Sequence, residues 1–241
     1  MNKKKLLIIG SGPMLIEKGI VGTALGLRSW HILKPLMDSG DFEIDMFNII
    51  FPEKYPEDHP IHKQHTSPAE IQNSFLDILP DLGPGLSITN INKDLGNTKK
   101  TLQRKLDSKN YNAIISINTH PSFIASKLKR TCPLWSDLNG WVMGEAQAQA
   151  GAWNDDSMLP KLWQMEQAII QSADHFSTVS LPQKYALIGE LASIGRLNSK
   201  TNNYEFAHVI ENATDIQTFD TLQTKEADTS ISENIQKIIE S

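Results

Sequence analysis

Short runs of apolar residues alternate along this chain with longer segments whose apolar positions recur at helical spacing. The short runs predict β-strands buried on both faces, and the periodic segments predict helices packed against a sheet. Regular alternation of the two is typical of βα units, so the sequence predicts an α/β, Rossmann-like, doubly wound fold with a mostly parallel sheet and helices on both faces. The seven predicted strands are residues 5–9, 42–48, 86–90, 113–117, 133–137, 175–180 and 206–210.

Seven helices are predicted between these strands. Signals for helix starts support several of them: Leu181 precedes a proline at a first helical position, and Ser122 is a residue type whose side chain caps helices. In open α/β proteins ligands bind beyond the carboxyl ends of the strands, so the loops after the strands are where we expect a site. The predicted helices are residues 23–37, 68–79, 98–108, 122–129, 144–152, 160–172 and 182–194.

The composition of the chain changes after Asn212. The following stretch is polar and rich in threonine, and the terminal segment SISENIQKIIES has the pattern of one short amphipathic helix. We therefore predict a Rossmann-like domain over residues 1–212 and a polar linker with a short helix over residues 213–241.

Charge and cysteine content exclude several classes of protein. The net charge is −5, and residues 213–241 hold six acids against two lysines, so the remaining body is nearly neutral. Without a basic excess the chain has no electrostatic surface for nucleic acid. The single cysteine, Cys132, rules out an internal disulfide framework and fits a reducing cytoplasm. No segment approaches the roughly 18 apolar residues of a membrane span, so we expect at most peripheral contact with the inner membrane.

The sequence favours neither a metal nor a cofactor. His59, His62 and His65 lie in a proline-rich stretch at spacings that fit no standard zinc pattern, and we interpret the stretch as a surface loop. The glycine-rich turn after the first strand lacks the third glycine of the dinucleotide fingerprint, contains Pro13, and is not followed by a phosphate-loop lysine. A nucleotide-binding Rossmann enzyme is therefore a weak alternative, since Asn48 also stands where such an enzyme has an acid.

Glycines surround the junction between the first strand and the first helix. Gly12, Gly22 and Gly26 let the backbone approach a ligand, and the helix N-terminus offers free N–H groups to an anion or a sugar hydroxyl. We predict that these glycines bind substrate, and the alternative is that they serve tight turns alone. Arg28, in the helix that follows, is a further substrate-binding candidate and faces either the cleft or the solvent.

Five segments, in a fixed order, carry a resemblance to a known family. Together they resemble the N-terminal, acceptor-side domain of GT-B fold glycosyltransferases, and they are similar to family 4 enzymes of bacterial surface-polysaccharide clusters. The resemblance covers residues 4–215, and its most specific part is residues 180–198. The segments are GSGP at 10–13, GLRSW at 26–30, DLNGWVMGEAQAQA at 137–150, SLPQKYALIGELASIGRLN at 180–198 and VIENATD at 209–215.

The resemblance implies a reaction and a partner. A GT-B enzyme pairs a first Rossmann-like domain that grips the acceptor, here a surface glycan or glycolipid, with a second that binds the nucleotide-sugar donor. Only 26 residues follow Asp215, too few for a second such domain, so we expect a separate donor-domain protein as partner. Three interpretations stay open: a split enzyme, a fragment, and a degenerate domain acting as a non-catalytic binding or scaffold subunit of a polysaccharide-synthesis complex.

Within this resemblance, three residues that follow buried strands are candidate catalytic groups: Asp137, His120 and Glu145. A positioned carboxylate or imidazole can orient or deprotonate an acceptor hydroxyl. The alternatives are structural. Asp137 would cap a turn, Glu145 would satisfy helix N–H groups, and His120 would shape a turn before a proline.

Trp141, Gln183 and Lys184 are candidate substrate-binding residues. An aromatic face suits a sugar ring, although core packing is the alternative for Trp141. Gln183 and Lys184 open the helix after the sixth strand, where their donors can meet a phosphate across the cleft. We also predict that Glu190 and Arg196 form an ion pair at the end of that helix.

Overall fold

A computed structural model of the chain describes residues 3–12, 14, 23–51, 71–72, 85–92 and 95–212. The strands in these residues are β1 (Lys4–Ser11), β2 (Phe42–Ile50), β3 (Ile71–Gln72), β4 (Leu86–Asn92), β5 (Ala113–Ile117), β6 (Leu134–Leu138), β7 (His175–Thr178) and β8 (Ala207–Val209). The helices are α1 (Ala24–Asp38), α2 (Leu95–Ser108), α3 (Thr119–Ser126), α4 (Val142–Trp153), α5 (Leu159–Ser172) and α6 (Leu181–Ser193), with a 3₁₀ helix at Ser199–Thr201.

All of these strands belong to one sheet, in the order β3-β4-β2-β1-β5-β6-β7-β8. Every pair is parallel except β3 with β4. The predicted α/β, Rossmann-like, mostly parallel fold is therefore confirmed. The seven predicted strands all form, with ends that move by a few residues at most.

The first strand illustrates why the sheet is covered on both faces. Leu7 and Ile9 are fully buried and pack in one core cluster with Ile169 of α5. Ile8 is also fully buried but packs in a second cluster, with Leu33 of α1. Because successive side chains of a strand point to opposite faces, a continuous apolar run such as LLII needs a helix layer on each side.

The strand order reverses between β1 and β5. The chain runs outward from β1 through β2 to β4, and α2 then returns it to β5 on the other side of β1. Helices that follow strands on either side of such a reversal lie on opposite faces of the sheet, which opens a crevice at the carboxyl ends of the two central strands. The residues that follow β1 and β5 border this crevice.

Ser122 does not cap a helix, contrary to the prediction. The third helix begins at Thr119, and its N-cap residue is Asn118, whose φ of 73° turns the chain from β5 directly into the helix. Ser122 lies inside the helix and is buried, with its Oγ atom 3.0 Å from Oγ of Ser116.

The helix predicted at residues 68–79 is wrong at Ile71–Gln72. These two residues form a strand antiparallel to β4. Without them β4 would be the edge of the sheet, and the backbone N–H and C=O groups along an edge need hydrogen-bond partners. The other residues of that prediction lie outside the described residues, as does the segment predicted at 213–241. Within the described ranges, no helix combines the length and apolar character that crossing a membrane requires.

A buried carboxylate joins β2 to the segments that flank α2. Asp45 is 4% exposed and accepts hydrogen bonds from Tyr111 at 2.6 Å, from Lys109 at 2.7 Å and from Ser87. Burial alone would raise the pKa of Asp45, but these hydrogen bonds and the charge of Lys105 outweigh burial and lower its pKa to about 2. The ionised form of Asp45 therefore stabilises the fold.

Replacing Asp45 with asparagine is expected to lower the free energy of unfolding at pH 7 by about 2 kcal/mol, the equivalent of a pKa lowered from 3.8 to about 2. This stabilisation is present above pH 4 and is lost as the pH falls through about 2. Urea unfolding of the wild type and D45N at pH 7 measures the difference. The exposed Asp38 serves as control, and equal stabilities of D45N and the wild type would contradict this role.

Candidate functional site

Arg28 and Asp137 form a buried ion pair at the carboxyl edge of the sheet. Nε of Arg28 lies 2.9 Å from Oδ2 of Asp137, and Nη2 lies 2.7 Å from Oδ1. The two side chains are 2% and 0% exposed. This is the fork geometry in which a guanidinium donates two parallel hydrogen bonds to a carboxylate.

Further hydrogen bonds of the pair join α1 to the segment after β8, and β7 to β6. Arg28 of α1 also donates to the carbonyl oxygens of Ile210, at 2.8 Å, and Glu211, at 3.1 Å, which follow β8. Ser177 of β7 donates to Oδ1 of Asp137 at 2.5 Å. The predicted catalytic role of Asp137 and the predicted substrate role of Arg28 stay predictions. The contacts support a positioning role for both, because each side chain is occupied within the protein.

Gly12, which follows β1, is closely packed. A Cβ atom at Gly12 would overlap the side chain of Asn48, which is fully buried at the end of β2. Gly26 is buried in the first turn of α1, and its N–H donates to Oγ1 of Thr23 at 3.0 Å. Gly22 lies outside the described residues. The close approach of Asn48 to Gly12 agrees with the turn role, and the substrate role of both glycines stays a prediction.

His120 is the second residue of α3 and is partly buried beside the crevice. Its ring lies edge-on to that of Phe51, with the centroids 5.9 Å apart. Phe51 follows β2 and His120 follows β5, and these strands flank β1 on its two sides. This ring contact therefore spans the carboxyl end of β1, where a ligand of an open α/β protein is expected.

Glu145 and Trp141 lie at the start of α4, after β6. Glu145 is exposed, and its carboxylate sits where a Cβ atom at Gly140 would be, so a side chain at Gly140 would displace it. Trp141 is 45% exposed, packs over Gly144 and donates from Nε1 to Oε1 of Glu190 at 2.9 Å. Both residues are thus accessible to a ligand from the solvent side.

Gln183 and Lys184 are engaged by the protein itself. Gln183 is 9% exposed, donates to the carbonyl of Leu138 at 2.9 Å and accepts from the N–H of Val179 at 3.0 Å. It thereby joins the ends of β6 and β7. Lys184 lies 3.0 Å from the carboxylate of Glu205. Their substrate contacts stay predictions, and Lys184 is the more accessible of the two.

Two carboxyl groups interact between α5 and α6, and one of them, Glu166, was not predicted from the sequence. Glu166 is 3% exposed, and burial together with the charge of Glu190 raises the pKa of Glu166 to about 8. Burial also raises the pKa of Glu190, although its hydrogen bond from Trp141 opposes the rise. Glu166 shares the helical spacing of buried Ile169 and Ile170, and this spacing was the available signal.

The predicted ion pair between Glu190 and Arg196 is wrong. Arg196 donates instead to the carbonyls of Ile170 and Ala173, at 2.7 and 2.5 Å, at the C-terminal end of α5. Its guanidinium also lies over the ring of Phe206, 4.8 Å from the centroid. The carbonyls at a helix end attract a cation, and this attraction outcompetes Glu190.

The described candidates thus lie near the carboxyl ends of the strands, mostly in the first turns of the helices that follow, but only Arg28 and Asp137 bond to each other. No group of three or more metal-ligating side chains occurs within the described residues. His59, His62 and His65 lie outside them.

No protein family matches the sequence of this chain, and no curated protein matches it significantly. Two solved structures are similar in fold. One is sucrose-phosphate synthase from Thermosynechococcus elongatus, with a TM-score of 0.55 and 13% identity over 89% of this chain and 49% of that chain. The other is TcCGT1 in complex with UDP, with a TM-score of 0.50 and 10% identity over 92% of this chain and 55% of that chain.

The chain spans about half the length of each of these structures. Its structural neighbours are GT-B glycosyltransferases, so the chain has the fold of a glycosyltransferase-like domain. At such low identity the likeness concerns the fold alone. The narrower similarity to family 4 stays a prediction from the sequence.

Proposed function

We propose that this chain is the acceptor-binding half of a GT-B glycosyltransferase, similar to family 4. It would act in the transfer of a sugar from a nucleotide-sugar donor to a surface glycan or glycolipid. The observation that supports this best is the fold match, which extends over 89% of this chain and 49% of sucrose-phosphate synthase. A domain of that size corresponds to one of the two Rossmann-like domains of a GT-B enzyme.

The reaction is a displacement at the anomeric carbon of the donor sugar. The acceptor hydroxyl oxygen forms a bond to this carbon, the bond to the nucleoside diphosphate breaks, and the hydroxyl proton passes to a base. This half of the enzyme would hold the acceptor hydroxyl in position, which removes much of the entropic barrier. The donor half, wherever it is encoded, would bind the diphosphate and stabilise the charge that develops on it.

We assign His120 as the group closest to the acceptor hydroxyl. It lies at the carboxyl end of β5 beside the crevice, and an imidazole is a suitable proton acceptor near neutral pH. Glu145 is a second accessible group, and the exposed ring of Trp141 offers a surface for a sugar ring. Asp137 would act through Arg28, which it holds in place, and not on the substrate directly.

Replacing His120 with glutamine is expected to lower the rate constant of sugar transfer by about 10² to 10⁴-fold, because the proton acceptor is lost. The assay combines the purified chain with the donor-binding half and a labelled nucleotide sugar. His175 is a matched control: it stacks on Tyr204, 5.2 Å away, at the opposite end of the strands. If H120Q transfers sugar as fast as H175Q and the wild type do, His120 has no catalytic role.

A non-catalytic binding or scaffold subunit is the second candidate. Several large apolar side chains on or beside α4, α5 and α6 are exposed, as expected of a surface that contacts another protein. A scaffold would give the same transfer rate when His120 and Glu145 are both replaced, whereas an acceptor half would not. The exposed side chains are Trp141, Trp153, Met158, Leu181 and Tyr185.

A further inference from the structure

Trp141 is accessible to solvent, yet its ring is fixed on two sides. The residue is 45% exposed, and its Nε1 donates a hydrogen bond to Oε1 of Glu190 in α6 at 2.9 Å. The six-membered part of its ring lies against Gly144, so close that a Cβ atom on this glycine would be 2.7 Å from Cε3 of the ring. Only a residue without a side chain at position 144 lets the ring occupy this place.

A second exposed tryptophan of the same helix provides a comparison. Trp153 ends α4 and is 72% exposed, and its side chain makes no hydrogen bond within the described ranges. Trp141 differs because a carboxylate of α6 and the backbone of α4 hold its ring in one orientation. A ring that is already fixed loses little conformational freedom when it binds a ligand, so Trp141 is the better prepared of the two.

The carboxylate of Glu190 lies in a position that is unfavourable for stability. Burial raises its pKa, and its charge raises the pKa of the buried Glu166 on α5. Its Oε2 is buried and accepts no hydrogen bond from any residue that the structure describes. A buried acceptor without a donor and a neighbouring like charge both destabilise a fold. Glu190 therefore has a role other than stability, and its bond to Trp141 indicates what that role is.

We propose that Glu190 and Gly144 are positioning residues that hold the Trp141 ring as a fixed surface on which one sugar ring of the acceptor saccharide stacks. This inference rests on the proposed function and deepens it. A sugar ring presents C–H groups on its face and hydroxyls around its rim, which suits the face of an aromatic ring. The group that holds the ring is acidic, so the surface suits an uncharged sugar better than a phosphate.

The test follows the indole N–H signals of the ¹⁵N-labelled chain by NMR during addition of methyl glycosides of glucose, galactose, mannose and N-acetylglucosamine. The chain has five tryptophans, and the W141A and W153F variants identify two of the signals by their loss. At least one glycoside is expected to shift the Trp141 signal and to leave the Trp153 signal in place. W141A is expected to weaken binding of that glycoside about tenfold, and W153F is expected to bind like the wild type.

Two glycines of α4 test the position of the ring with the same substitution. In G144A the new Cβ atom displaces the ring, so glycoside binding is expected to weaken about tenfold. In G151A the new Cβ atom meets nothing within 4 Å, so binding is expected to match that of the wild type. Both variants are expected to fold, because alanine has a higher helix propensity than glycine.

Variants of Glu190 separate positioning from stability. E190M removes both the acceptor of the Trp141 N–H and a charge beside Glu166. It is therefore expected to keep or raise the thermal midpoint while weakening glycoside binding about tenfold. E190Q retains an oxygen that accepts the Trp141 N–H, and it is expected to bind like the wild type. A glutamate with a purely structural role would give the opposite result for E190M, a lower thermal midpoint with unchanged binding.

Three results would overturn the inference and are distinguishable. If glycosides bind W141A, G144A and E190M as they bind the wild type, the ring is not the binding surface, and the proposed function stands without it. If W141A alone weakens binding, the ring contacts the sugar, but Glu190 and Gly144 do not position it. If no glycoside shifts any signal, the proposed acceptor function fails, and this inference fails with it.

Discussion

Replacing Arg28 with methionine is expected to lower the free energy of unfolding by about 3–5 kcal/mol, among the largest effects of any single substitution in this domain. The methionine fills a similar volume but leaves the Asp137 carboxylate, which is 0% exposed, without a counter-charge. Only Ser177 would still donate to it through a side chain. An uncompensated buried charge costs far more than the ion pair contributes, so the loss exceeds that of an ordinary hydrogen bond.

Urea unfolding at pH 7, followed by far-ultraviolet circular dichroism, measures this difference. Lys34 provides the control, because it pairs with Asp38 at 2.7 Å while both side chains are more than half exposed. K34M is expected to change the free energy by about 0–1 kcal/mol. A loss for R28M no greater than that for K34M would show that the buried pair is not what holds α1 to β6.

Replacing Glu166 with glutamine is expected to stabilise the protein strongly at pH 9 and to change it little at pH 5. In the folded chain, burial and the charge of Glu190 raise the pKa of Glu166 from 4.5 to about 8. The unfolded chain releases this proton near pH 4.5, so the stability of the wild type declines between pH 4.5 and 8. The full pKa shift corresponds to a loss of about 5 kcal/mol in the free energy of unfolding. Glutamine avoids this loss because it has no proton to release.

Thermal and urea unfolding of the wild type and E166Q at pH 5, 7 and 9 test this expectation. The difference in the free energy of unfolding between E166Q and the wild type should grow steadily with pH and level off above about pH 8. Glu205 is the control, because its carboxylate is exposed and Lys184 lowers its pKa, so E205Q should gain nothing across this range. Parallel stability profiles for E166Q and the wild type would mean that Glu166 does not hold its proton in the folded state.

The strands β1 and β5 were predictable because each contains a continuous apolar run. A strand buried on both faces carries few polar residues, and runs such as LLII in β1 and AIIS in β5 have no competing helical period. Prediction failed where a partner far along the chain decides the structure. Ile71–Gln72 pair with β4, an interaction that local sequence does not encode.

The carboxyl-edge location of the candidate residues was predictable, but their contacts were not. Arg28 and Asp137 are separated by 109 positions, and nothing in either local sequence identifies the other as its partner. Trp141 and Glu190 likewise belong to different helices, and neither local sequence identifies the other. Glu166 was not predicted, although its place on the buried face of α5 follows from helical spacing.

Calorimetric titration of the purified chain with nucleotide sugars, free nucleoside diphosphates and methyl glycosides tests the acceptor-half assignment most directly. The assignment predicts that the isolated chain binds a glycoside but no nucleotide sugar, and that nucleotide sugars bind once the donor-binding half is added. Tight binding of a nucleoside diphosphate or nucleotide sugar by the isolated chain would contradict it. That result would instead favour a Rossmann domain that binds nucleotides itself.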